Sequence, residues 1–192
     1  MSTGHGSPSP SALHAFAVFL RGVNVGGITI RSAPLKAALL AIDGVETAGT
    51  ILASGNVLVT TSLDETALKA ACEAALRATF GYEAWVVVMP RTAVAHIVQA
   101  CPYPSDDESV HAYVTVSSDP ASLDAIEADA AALGEAGGPM LRLTPEALAW
   151  QCPAGQSTQA PVAKLFTKAR YKSSTTTRNL RTFERLLAIP VA

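Results

Sequence analysis

From His14 to Arg21 the run HAFAVFLR is apolar and aromatic with no polar alternation, the pattern of a strand buried on at least one face. The period then changes. Ser32 can cap a helix that carries Pro34 in its first turn and Leu35, Leu39 and Ile42 along one stripe. Strands are predicted at Thr47–Ala53 and Val57–Thr61. Ser62 and Glu65 have capping-box spacing ahead of a stripe of Leu68, Cys72, Ala75, Leu76 and Thr79, and Gly81 ends that helix. Ala84–Met89 is strongly β-prone. The order β-α-β-β-α-β is the split arrangement of ferredoxin-like domains, with a largely antiparallel sheet and both helices on one face.

The second half is less regular. A short helix with Val94, Ile97 and Val98 ends before Cys101-Pro102, and a strand is predicted over Ala112–Ser117. Asp119 and Pro120 supply an N-cap and a first-turn proline for a helix burying Leu123, Ile126, Ala130 and Leu133. Met140–Leu143 and Ala147–Cys152 form a hairpin around Thr144-Pro145-Glu146, with Leu148, Trp150 and Cys152 on one face. Thr175–Thr182 is expected to open the last helix, with Leu180, Phe183 and Leu187 inward and Arg178, Arg181 and Arg185 opposite. The fold class is therefore α+β, a ferredoxin-like βαββαβ N-terminal half packed with a second α+β half. Residues 1–13 are expected to be a disordered leader, 14–90 the ferredoxin-like subdomain, and 91–192 a second subdomain with basic C-terminal helices.

Composition narrows the function classes. Apolar residues make up 49% of 192 positions and charged ones 16%, which excludes wholesale disorder. The net charge of −2 excludes a generally basic nucleic-acid binder, yet it conceals an asymmetry. Residues 1–154 carry 7 basic and 15 acidic side chains, whereas residues 155–192 carry 7 basic and only Glu184 acidic. Either the C-terminal segment neutralises the acidic body internally, or it presents a basic patch to an anionic ligand. The N-terminus lacks the charged region of a secretory signal, and apolar runs fall far short of a membrane span. Cys72, Cys101 and Cys152 are scattered, without a CxxC pair or a Cys/His cluster. No metal site, cofactor or membrane partner is expected, and the expected home is the cytoplasm.

Three short blocks carry candidate chemistry. Arg21-Gly22-Val23-Asn24-Val25-Gly26-Gly27 follows the first strand, and its glycines let a ligand approach the backbone N–H groups. Ile28 stands where a P-loop has its lysine, so this is no triphosphate loop. Ser54-Gly55-Asn56 joins two predicted strands as a turn. Arginines around Thr176–Thr182 suit phosphate or carboxylate recognition. No acid–base or nucleophile motif is present, so no catalytic residue is assigned and the question of an enzyme stays open.

RGVNVGG, SGN, Cys152-Pro-x-Gly155, Lys164-Leu165 and TTRNLRT occur in this order and together resemble the uncharacterised bacterial domain-of-unknown-function family 1697. The resemblance spans residues 14–189 and implies an α+β fold with a ferredoxin-like portion, and no established activity, substrate or cofactor. Arg21, Asn24, Gly26, Gly27, Ser54, Asn56, Lys164, Arg178, Asn179 and Arg181 are expected to line one donor-rich pocket for a small phosphate- or carboxylate-bearing ligand. Two alternatives stand beside this: nucleic-acid binding by the basic C-terminal segment, and an enzyme acting on a phosphorylated metabolite.

Overall fold

The computed structural model of the chain describes residues 12–22, 29–51, 55–81, 83–134 and 139–191. Most of the expected leader, residues 1–11, lies outside them. The first half runs β1 (His14–Arg21), α1 (Ser32–Leu40), β2 (Val45–Ile51), β3 (Asn56–Thr61), α2 (Glu65–Phe80), β4 (Trp85–Pro90) and α3 (Arg91–Ala100). Its strands form one sheet in the order β2-β3-β1-β4, and every pairing is antiparallel. That order is compatible with the ferredoxin-like arrangement, and the class is α+β.

The unbroken apolar run of β1 has a simple cause: both faces of its sheet are covered. Phe16, Val18 and Leu20 point toward Leu35 and Leu39 of α1 and Leu68, Cys72 and Leu76 of α2. Ala17 and Phe19 point the other way, into a second core shared with the rest of the chain. Caps set the limits of α2. Asp64, rather than Ser62, is its N-cap, accepting from the Ala67 N–H at 2.8 Å, and Gly81 closes it at φ 68°.

The second half runs β5 (Val110–Ser117), α4 (Pro120–Ala131), β6 (Met140–Thr144), β7 (Ala147–Pro153), α5 (Pro161–Leu165), a 3-10 turn at Ala169–Tyr171, β8 (Thr175–Asn179) and α6 (Leu180–Leu187). Its sheet has the order β6-β7-β5-β8, again antiparallel throughout. Strand for strand this repeats the first sheet. The expected hairpin and the Asp119-Pro120 helix start are present, while Leu133 lies beyond α4 and is 41% exposed.

The largest correction concerns the start of the last helix. Thr175–Asn179 is the edge strand β8, paired with β5 from Ser117 to Tyr113, and the last helix begins only at Leu180. Three consecutive β-branched threonines favour a strand, and the Thr115 and Thr177 hydroxyls meet across the pair at 2.8 Å. Asn179 is the residue that can cap: its Oδ1 accepts from the Arg181 N–H at 2.9 Å. Arg178 therefore lies on a strand, away from the helical face of Arg181 and Arg185.

Helices α3 and α6 lie between the two sheets and pack on each other. Each crosses to the opposite half, α3 touching β6 and α6 touching β2 and β3. Leu180, Phe183 and Leu186 fill the shared core with Val114 and Val116, and the rings of Phe19 and Phe183 are 5.0 Å apart. A third core, on the outer face of the second sheet, joins Leu123 and Ile126 of α4 to Trp150, Phe166 and Tyr171.

Candidate functional site

Where the end of β1 meets β8, a cavity of about 710 Å³ opens at the seam of the two sheets. Leu20, Arg21 and Gly22 form one wall and Thr176–Asn179 of β8 another. Tyr113, Trp150 and Phe166 form an aromatic floor, while Ser157, Thr158 and Thr167 stand on the side of α5. Gly22 turns the chain out of β1 at φ 77°, a left-handed conformation that side-chain-bearing residues rarely adopt.

Two arginines stitch the halves together in opposite directions. Arg21, from the first half, donates through Nη1 to the Thr175 carbonyl and to Thr175 Oγ1 at 2.9 Å, and through Nη2 to the Phe166 carbonyl at 2.6 Å. Arg178, from the second half, donates through Nη2 to the Leu20 carbonyl and through Nε to Asn56 Oδ1 at 2.6 Å. Its Nη1 donates to Thr176 Oγ1 at 2.7 Å and to the Thr177 carbonyl at 2.8 Å. Asn56 is fully buried and is held in turn by the Ile51 carbonyl, to which its Nδ2 donates at 3.3 Å.

These bonds are to neutral oxygens, and they orient the two guanidiniums. Burial, and after it the charge of Arg21, pushes Arg178 down to about 10. Burial also lowers Arg21. Arg21 and Arg178 are both cations on the described lining. Lys172 adds a third cation at the cavity, its Nζ 5.5 Å from the centre of the Trp85 ring. Among the described lining residues there is no carboxylate, histidine or cysteine.

Of the residues expected from sequence, Arg21, Arg178 and Asn179 line this cavity, and Asn56 joins them through Arg178. Asn24, Gly26, Gly27 and Ser54 lie outside the described residues. Lys164 is exposed on α5 and is not part of the lining, although Ala163 and Phe166 beside it are. Arg181 points elsewhere and donates through Nε to the Ser105 carbonyl. Lys172, Tyr113, Trp150 and Phe166 were not singled out as site residues. Tyr113 and Trp150 are direct cross-strand partners with stacked rings 4.7 Å apart, a pairing that only the register of β5 against β7 reveals.

The basic segment also neutralises acidic neighbours. Lys168 Nζ lies 2.7 Å from Asp129 Oδ2, Arg170 pairs with the same oxygen, and the Tyr171 hydroxyl donates to it at 3.0 Å. The Arg170 and Lys168 bonds hold the Asp129 carboxyl well below the usual carboxylate range. Among the described residues no helix is long and apolar enough to cross a membrane, and no cluster of side chains could hold a metal ion.

Two sheets of the same strand order, stitched by arginines around a donor-lined cavity, define a protein of the α+β class. The sequence profile described as "Protein of unknown function (DUF1697)" matches residues 13–136, and the chain belongs to that family. The matched region ends before β6, so β8 and most of the cavity lie beyond it. Among solved structures, the conserved bacterial protein SP0830 from Streptococcus pneumoniae is 18% identical, with a TM-score of 0.68 over 91% of this chain and 97% of that one. It is similar in fold. An unknown protein from Galdieria sulphuraria, 14% identical over 88% of this chain and 98% of that one, superposes only at a TM-score of 0.26. No curated protein matches the chain.

Proposed function

We propose that the chain binds a small anionic ligand, bearing phosphate or carboxylate, in the cavity between β1 and β8. One observation carries this reading: the Arg21 and Arg178 guanidiniums, fixed by hydrogen bonds across the seam, line the same cavity, and no carboxylate stands among the described lining residues. Holding like charges together at low dielectric is unfavourable, and an oxyanion placed beside them relieves that repulsion. Hydroxyls of Ser157, Thr158 and Thr177 and the Asn179 amide add neutral hydrogen-bonding groups around the same space.

Binding is favoured over acid–base catalysis because the described lining offers no carboxylate or imidazole to move a proton. Nucleic-acid binding is disfavoured because Lys168 and Arg170 are engaged with Asp129 and Arg181 with Ser105. A cytoplasmic setting belongs to the same proposal, supported by Cys72 and Cys152 packing as buried free thiols.

The test is a thermal-shift screen of phosphates and carboxylates at millimolar concentration. A ligand at a hundred times its Kd stabilises by about 2.7 kcal/mol. For a chain of this size that raises Tm by roughly 5 °C or more. Lys172→Ala, at an exposed position, should shrink the shift without lowering the ligand-free Tm. An unchanged Tm with every anion, at low salt, would overturn the proposal.

A further inference from the structure

The cavity is much larger than an oxyanion. At about 30 Å³ per water in the liquid, its 710 Å³ corresponds to on the order of twenty waters. That is the size range of sites for whole organic ligands. Its lining also combines two chemistries: Arg21, Arg178 and Lys172 bring charge, and Tyr113, Trp150 and Phe166 bring aromatic rings. Trp150 stacks on Tyr113 at 4.7 Å and touches the Phe166 ring at 5.8 Å.

The two parts are fixed to each other by covalent and hydrogen-bonded links. The Phe166 carbonyl accepts from Arg21 Nη2 at 2.6 Å, so the residue supplying one ring is tied to the guanidinium supplying the charge. Register places Asn179 directly opposite Tyr113, bringing an amide alongside the aromatic floor. Trp150 itself is held in place, its indole N–H donating to Thr115 Oγ1 at 3.2 Å. A floor so fixed accepts a flat apolar body with little rearrangement.

Resting on the anion-binding reading, we infer that the ligand is an aromatic oxyanion, a planar ring system carrying a phosphate or carboxylate, with its charged head at Arg21 and Lys172 and its ring against Tyr113 and Phe166. Inorganic phosphate occupies only the charged end. An aliphatic anion of equal charge reaches the floor but does not stack on it.

Calorimetry on the full chain, with tryptophan fluorescence alongside, separates these cases. Two series are titrated: inorganic phosphate, hexyl phosphate and phenyl phosphate; then acetate, hexanoate and benzoate. In the series with the preferred head group the aryl member should bind at least ten-fold tighter than the simplest anion and several-fold tighter than the alkyl one. Tyr113→Leu should bring aryl and alkyl affinities together, and Phe166→Leu serves the same purpose if the first variant folds poorly. Aryl members that bind no tighter than the alkyl members, or no tighter than inorganic phosphate and acetate, would overturn the aromatic inference and leave the anion site standing. If no anion in either series binds, the site reading fails as well.

Discussion

The two halves share a strand order and differ in what covers the outer face of each sheet. In the first, α2 has 16 residues, about 24 Å of helix, and its Leu68, Cys72 and Leu76 are buried against the sheet beside Leu35 and Leu39 of α1. The helix at the same point of the second half, α5, has five residues, and only Val162 and Leu165 of it are buried. A 3-10 turn and irregular chain replace the rest. The cavity lies where the second half lacks what α2 supplies to the first. The edge strands differ in the same sense: β4 reads WVVVMP with a buried middle, whereas β8 reads TTTRN and keeps hydroxyl, guanidinium and amide groups at the seam. One strand order thus carries a closed half under the long α2 and an open half under the short α5.

The largest expected effect tests whether the halves unfold as one. Phe183 of α6 is fully buried between them against Phe19. Phe183→Ala should cost about 3–5 kcal/mol in denaturant unfolding. Trp85 reports on the closed half and Trp150 on the open one, so Trp85→Phe and Trp150→Phe backgrounds follow each separately. Coincident midpoints, both lowered, are expected. A loss confined to Trp150 would mean that the halves are only loosely joined.

Next comes the stitch. Arg178→Ala removes the donor to Asn56 Oδ1, a fully buried side chain, and to the Leu20 carbonyl. Removing a charged donor from such acceptors costs about 1–3 kcal/mol each, less what water regains through the open cavity, so a loss of roughly 2–4 kcal/mol is expected. The anion-induced thermal shift should fall with it. A variant as stable as wild type, with an undiminished shift, would remove Arg178 from both roles.

The closed half was the more legible from sequence, for a physical reason. Its elements are bounded by signals that act locally: the cap ahead of Ala67, Gly81 at the end of α2, and stripes at helical period. Even there the capping residue is Asp64 and not Ser62, a difference that pattern alone does not resolve because both side chains can cap. In the open half the informative contacts are long-range. Thr175–Asn179 carries no apolar periodicity, and its identity as a strand depends on pairing with β5 more than fifty positions away in the chain. Arg21 and Arg178 could be nominated from their chemistry. Lys164 and Arg181 share that chemistry, and only the fold separates them from the cavity. Lys172 follows the 3-10 turn, where no periodic pattern marks a residue's direction.

The smallest effect concerns what holds the open half in place of a long helix. In the closed half the apolar stripe of α2 does this. In the open half Asp129 of α4 gathers Arg170, Lys168 and the Tyr171 hydroxyl, fastening the irregular segment after α5 to the helix beside it. The carboxyl titrates lower in the folded chain than in the unfolded one. Its contribution is therefore complete above the unfolded value of about 4 and is lost as pH falls toward the lower folded value. Lys168 and Arg170 are exposed, so salt should weaken the contribution as well. Urea midpoints of wild type and Asp129→Asn should differ modestly at pH 7 in low salt and converge below about pH 4, or at high salt. Parallel curves across that range would mean that apolar contacts of Tyr171 and Phe166 alone hold the segment, and that both halves are fastened by the same means.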